Sequence, residues 1–204
     1  MASDNYKMSF STGGLFIQES VVIAEAFQDS RDWKQARDLV LNQNLLQART
    51  ESSLKRTARE ATFRLQRLDN EELDFMVSAQ PEDQAYLLWL AVCRYYQFIG
   101  EFALEVLHDR YVTLKGDVNH IDFDLFFDRK AEWDDDLAKI TDSTRGKLRQ
   151  VLFRMMREAG LLDHDFAILP ALFGPQLFKL ISQKNSDEFT FFPTSENALK
   201  RNFA

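Results

Sequence analysis

One cysteine in 204 residues excludes an internal disulfide, and Cys93 alone cannot begin a thiolate metal cluster. The three histidines, His108, His120 and His164, never stand three or four residues apart, so the spacing of a zinc site is missing too. Four prolines and seven glycines are too few to punctuate a many-turned β fold. With abundant Leu, Ala, Glu, Arg and Gln they predict a mainly α protein. Long hydrophobic runs are also lacking. The longest, "AYLLWLAVC" from Ala85 to Cys93, has nine residues where a spanning helix needs about 20. It reads as a buried core helix, and no membrane insertion is expected. The start "MASDNYKMSF" has no charged-then-apolar signal pattern, so export is not expected and a cytoplasmic location is.

Catalytic patterns are equally sparse. "STGG" near the start lacks the Lys and the glycine spacing of a phosphate loop and reads as a helix entry. Cys93 and His108, if on one helix, stand roughly 22 Å apart at about 1.5 Å per residue, far beyond the reach of a nucleophile and base. "WDDDLAK" offers Asp134, Asp135 and Asp136, but consecutive helical side chains diverge by about 100°, so helix capping and a solvated acidic face are expected rather than a magnesium site. Neither catalytic residues nor a cofactor, metal site or small-molecule substrate emerge. The chain is read as not an enzyme.

What is present is segregated charge. The formal net charge is −7, yet "NLLQARTESSLKRTAREATFRLQRL", Asn44 to Leu68, sets Arg49, Lys55, Arg56, Arg59, Arg64 and Arg67 against only Glu51 and Glu60, a balance of +4. "STRGKLRQVLFRMMREA", Ser143 to Ala159, sets Arg145, Lys147, Arg149, Arg154 and Arg157 against Glu158, again +4. Taking this +8 from −7 leaves −15 on the rest of the chain. Such local positive faces steer anions whatever the overall pI, and these eleven side chains are the candidate nucleic-acid contacts. A charged outer face kept for solubility is the competing reading, which three acids against eleven bases fit poorly. Phe63 and Phe153 lie among the basic residues, as either a second packing surface or a stacking contact.

The length suits one large or two small domains. After "STGG", an apolar stretch from Leu15 to Phe27 precedes a helix through Gln43, with Asp29 or Ser30 as its cap. Thr50 or Ser52 caps a third helix to about Leu68, whose apolar face is Leu54, Ala58, Ala61, Leu65 and Leu68. Asp69 or Asn70 opens a short helix, and Pro81 begins a helical pattern to about Val112 with a bend at Gly100. The domain boundary is placed in "LKGDVNH", Leu114 to His120, dividing an N-terminal helical bundle, 1–115, from a C-terminal domain, 116–204.

In that second part "IDFDLFFDRKAEWDDDLAKI" holds seven acids and three bases and reads as a helix to about Trp133 and a short one to Ile140. A capped helix from about Thr144 stops at Gly160, with Leu148, Val151, Leu152, Met155 and Ala159 as its apolar stripe. Pro175 opens a further helix, and "FAIL" and "FTFF" are strand candidates for a small β-hairpin. Two helices, a turn, a third basic helix and a hairpin are the order of a winged helix-turn-helix.

The phrases "MSFSTGGLFIQES", "NLLQARTESSLKR", "LLWLAVCRYYQFIGEFALEVL", "KAEWDDDLAKITDSTRGKLRQVLFRMMREAGLL" and "ILPAL" resemble the BrxA family of bacteriophage exclusion (BREX) defence islands. The likeness runs from about Met8 to Leu172 and leaves the tail after about Ser182 outside it. It implies a small helical protein similar to the NusB class of nucleic-acid-binding factors, encoded beside methyltransferase, ATPase and phosphatase-like partners. The family has also been labelled an inner-membrane protein, which the run lengths here contradict. No catalytic motif carries over. The resemblance and the two basic segments together predict a non-enzymatic accessory component that binds double-stranded DNA and works with other BREX proteins. The alternative is an adaptor docking other defence subunits through the same basic helices.

Overall fold

The computed structural model describes residues 6–195. Eleven α-helices make up most of them, with one π-helical and one 3-10 turn and no strand among the described residues. Two compact units form. One is Leu15–Tyr95, and the other joins the segment before it to the chain from Tyr96 onward.

In the Leu15–Tyr95 unit, α1 (Ile17–Ser30) packs on α2 (Trp33–Asn42), α3 (Glu51–Leu65), α4 (Asn70–Ser78) and α5 (Pro81–Tyr95). The "AYLLWLAVC" run lies in α5 with every residue buried. Helix starts are set by local donors and acceptors. Thr50 accepts from Ser53 N, and Asp69 forms a capping box with Glu72. Glu72, 1% exposed, is held in turn by two Arg94 bonds of 2.8 Å. The cap of α2 is Asp32, accepting from Lys34 and Gln35 N, not Asp29 or Ser30. Those two still belong to α1, and the chain reverses at Arg31 with φ 51°.

The long helical pattern toward Val112 breaks at extended Tyr96 rather than at Gly100, which sits inside α6 (Gln97–Phe102). Tyr96 is where the chain passes from one unit to the other. A π-helical turn (Ala103–His108) and α7 (Asp109–Val112) follow. Phe98, fully buried, is the hub of this unit: its ring meets Tyr6 at 5.6 Å, Phe10 at 6.2 Å, Phe123 at 5.9 Å, Phe126 at 5.1 Å and Phe127 at 5.8 Å. The first segment is thereby part of the core. Gly14 lies against the Glu158 carboxylate at the end of α10 (Asp142–Glu158), the far end of a flexible, exposed side chain that a Cβ there would displace.

The "LKGDVNH" segment is not a free linker. Arg110 Nη2 meets Asp117 at 2.9 Å, Val118 is fully buried and donates to Phe166 O, and Ile168 N donates to Gly116 O. These bonds tie the segment into one unit on both sides, and the units divide at Tyr95–Tyr96 instead. Beyond it come α8 (His120–Ala131), α9 (Asp135–Ala138), α10 and α11 (Pro175–Lys184). Gly160, with φ 67°, ends α10 as its sequence position predicts.

The hairpin expected from "FAIL" and "FTFF" is corrected. Ala167 and Ile168 form only isolated antiparallel bridges, to Asp117 and Leu162. Phe189 to Phe191 of "FTFF" end a 3-10 turn, Ser186–Phe191, and Phe192 is the extended residue that caps it. Its aromatics bury at a spacing of three, Phe189 and Phe192 both meeting Phe173, at 5.2 and 5.0 Å. A repeat of three eclipses side chains in a 3-10 turn and would scatter them over both faces of a strand. Of the tail, residues 196–204 lie outside the described residues.

Candidate nucleic-acid interface

Helix α3 turns Leu54, Ala58, Ala61 and Leu65 inward, each 5% exposed or less, toward α1 and α5. Its outer face carries Lys55, Arg56 and Arg59, all exposed. Lys55 pairs with Glu51 at 2.5 Å and holds that carboxyl below its ordinary pKa. Arg56 and Arg59 have no carboxylate partner among the described residues. Arg49 and Arg67 are exposed but lie beyond the ends of α3. The Arg67 guanidinium sits 5.5 Å from the Tyr95 ring. Phe63, 40% exposed, stacks on the same ring at 6.1 Å.

Arg64 stands apart from the other five. Its side chain is wholly buried, donates from Nε to Glu60 at 3.0 Å and lies over the Phe16 ring at 5.2 Å. The sequence held one sign of this: Glu60 precedes it by four residues, where helical ion pairs form, and Arg64 itself stands between Phe63 and Leu65.

Helix α10 places its five basic residues in three settings. Arg145 and Arg149 turn toward α8, where Asp124 meets both and Asp128 meets Arg145 at 2.6 Å. Asp128, then Asp124, hold the Arg145 guanidinium above its usual pKa. Arg157 reaches Asp163 O at 3.4 Å and lies over Phe166 at 5.4 Å. Lys147 and Arg154 are exposed, Arg154 with one long bond of 3.4 Å to Gly13 O. Phe153, 1% exposed, meets His120 and Phe166 edge-on and is packing, not a free stacking platform. The acidic and basic stretches that are separate in sequence thus partly neutralise each other in the fold.

Asp134 is the N-cap of α9, accepting from Asp136 and Leu137 N at 2.9 Å. Asp136 pairs with Lys139 at 3.3 Å. No group of three or more His, Cys, Asp or Glu among the described residues is arranged to hold a metal ion. Cys93 is buried, and His108 Nδ1 bonds to Phe192 O at 2.8 Å.

His120 opens α8 with its ring edge-on to Phe153 (4.9 Å) and Phe166 (5.1 Å). Burial, then the charges of Arg149 and Arg157, hold its pKa below the ordinary 6.5, while Asp124 opposes them. With a depressed folded-state value the unfolded chain protonates first as pH falls. The stability at issue is therefore complete above 6.5 and is lost on acidification below it. His120→Phe is expected to keep the ring packing and to flatten the fall in Tm between about pH 7 and pH 5. Thermal denaturation decides this. A variant whose Tm falls as steeply as the parent's would clear His120 of responsibility.

The fold and these surfaces define a helical protein of two units, each offering one helix with an apolar inner face and basic outer residues. Among the described residues no helix is long and apolar enough to cross a membrane. The BrxA family model matches residues 4–185, and the chain belongs to that family. It is 25% identical over 164 residues to the BREX protein BrxA of Bacillus cereus (strain H3081.97), covering 78% of this chain and 80% of the relative. It is 26% identical over 151 residues to the BREX protein BrxA of Escherichia coli O9:H4 (strain HS), covering 74% and 71%. The crystal structure of an uncharacterized protein from Magnetospirillum magneticum superposes with a TM-score of 0.80 at 18% identity, over 93% of this chain and 98% of that one. That likeness is one of fold.

Proposed function

We propose that this protein is a non-enzymatic, cytoplasmic component of a BREX phage-defence system that binds double-stranded DNA. The observation that carries the reading is the pair Arg56 and Arg59, exposed on the outer face of α3 without carboxylate partners among the described residues. An arginine left unpaired toward solvent is available to phosphate, and neutralising phosphates supplies most non-specific DNA affinity. Lys147 and Arg154 play the same part on α10. The succession α8, α9, α10, with the Leu162–Ile168 bridge after it and the Asp117–Ala167 bridge joining its two ends, supports a winged helix-turn-helix reading of this region with α10 as the groove helix. The turn after α10 carries Asp163 and Asp165, which repel phosphate, so contact falls to the helix. Membership of a family whose relatives are named BREX proteins supports the defence setting and other BREX proteins as partners.

A fluorescence-anisotropy titration with random-sequence duplex over a salt series tests this reading. Binding is expected to weaken steeply with salt, by about 0.9 in the log–log slope per phosphate contacted. Absence of binding at about 50 mM salt, where phosphate contacts are strongest, sinks it. The adaptor reading, docking of other defence subunits, is favoured by a different observation: Ile121 and Leu125, one turn apart on α8, are 67% and 65% exposed, and Trp133 is 84% exposed.

A further inference from the structure

Arg145 and Arg149 stand one turn apart on α10 and share one carboxylate, Asp124 of α8. Their situations differ. Arg145 donates from Nε to Asp124 Oδ1 (3.1 Å), from Nη2 to the Asp124 carbonyl (2.7 Å) and from Nη1 to Asp128 (2.6 Å), and its guanidinium lies 4.6 Å from the Phe127 ring centroid. It clasps the two helices. Arg149 donates from Nη1 to Asp124 Oδ2, and its Nε is buried without a protein acceptor among the described residues. A guanidinium carries five N–H donors, and a buried donor left unmet is costly. One donor of Arg149, Nε, is therefore unmet where it lies, while the side chain as a whole is 28% exposed to the cleft.

Both arginines line an open cleft of about 380 Å³, together with Asp124, Asp142 and Gly146. Gly146 is within α10, where glycine is less favourable than alanine. A Cβ there would meet nothing within 4 Å, so packing does not require the glycine. Its effect is to leave the helix backbone open to close approach, directly beside the under-satisfied guanidinium.

We propose that Asp124 is a built-in competitor for nucleic-acid phosphate. On duplex binding Arg149 leaves the carboxylate and turns into the cleft over Gly146, giving its Nε and a terminal N–H to phosphate oxygens. Arg145 stays on Asp124 and Asp128, so neither carboxylate is abandoned and α8 remains clasped to α10. One anion replaces another on Arg149 and no proton moves. The consequence is discrimination, because a phosphate must present two well-placed oxygens to displace a carboxylate already in contact. This inference rests on the DNA-binding reading and adds the site at which phosphate competes.

The test is a double-mutant cycle on the full chain, read by anisotropy against random-sequence duplex over a salt series. Asp124→Asn is expected to tighten binding by about threefold to fivefold, the upper part of the range for a partly exposed ion pair. Arg149→Gln should flatten the salt slope by about 0.9, the loss of one phosphate contact. In the Arg149→Gln background, Asp124→Asn should bring no such gain. Asp142→Asn removes a carboxylate from the same cleft without releasing an arginine, and should act alike in both backgrounds. An equal gain from Asp124→Asn with and without Arg149, or an unchanged slope in Arg149→Gln, overturns the proposal while leaving DNA binding intact. A parent chain that binds no duplex overturns the DNA reading, and this proposal with it. Should a variant lose helical structure, the Nε–H resonance of Arg149 in the unaltered chain, labelled with nitrogen-15, gives the same answer: it moves on duplex addition, or the proposal fails.

Discussion

Arg56→Glu with Arg59→Glu is expected to weaken binding to random-sequence duplex by more than about tenfold at moderate salt and to flatten the salt slope by about 1.8, two phosphate contacts' worth. Both side chains project from the outer face of α3, and their reversal converts two attractions into repulsions. A tenfold change is about 1.4 kcal/mol, a modest demand on two phosphate contacts turned into repulsions. Helical content by circular dichroism should stay as it was, because Leu54, Ala58, Ala61 and Leu65 still seal the inner face. The matched control on α10 is Lys147→Glu with Arg154→Glu, the two exposed bases of that helix. If α10 reads a groove, that pair changes sequence preference more than bulk affinity. Less than twofold effect from both pairs would make the basic faces mere solubilising surfaces.

The second large effect is on stability. Phe98→Ala is expected to cost about 3–5 kcal/mol, the range for deleting a fully buried phenyl ring. Five aromatic rings close around Phe98, from the first segment, Tyr6 and Phe10, and from α8, Phe123, Phe126 and Phe127. The cavity therefore opens at a junction of elements rather than within one. Urea denaturation followed by circular dichroism measures the loss. A cost below about 1 kcal/mol would mean that the neighbouring rings collapse into the space and that Phe98 is no hub.

Much of the helix layout was legible in the sequence because its causes are local. Thr50, Asp69, Pro81, Gly160 and Pro175 act on donors and acceptors within a few residues, and each marks an end where the structure has one. Distant contacts left weaker traces. Arg64 reads like its basic neighbours until the Phe16 ring and Glu60 are found around it. Arg145 and Arg149 were visible as charges and Asp124 and Asp128 as an acidic run, but only the packing of α8 on α10 pairs them. "FTFF" has the composition of a strand, and the rings of Phe173 and Phe178, which are remote from it in the chain, decide that it curls instead.

The two units are also unequal in how the chain supplies them. Leu15–Tyr95 is one uninterrupted stretch, so the ribosome delivers all of it before any helix of the other unit exists. The segment carrying Tyr6 and Phe10 is made earlier still, yet Tyr96 and Phe98, the rings it packs against, arrive only after that whole stretch. Closing so long a loop adds little free energy beyond closing a short one, since the penalty grows only logarithmically. The burden falls on time. During synthesis Phe10 must wait while its neighbours in sequence fold without it, so the first segment joins the core only once Tyr96 and Phe98 have been made.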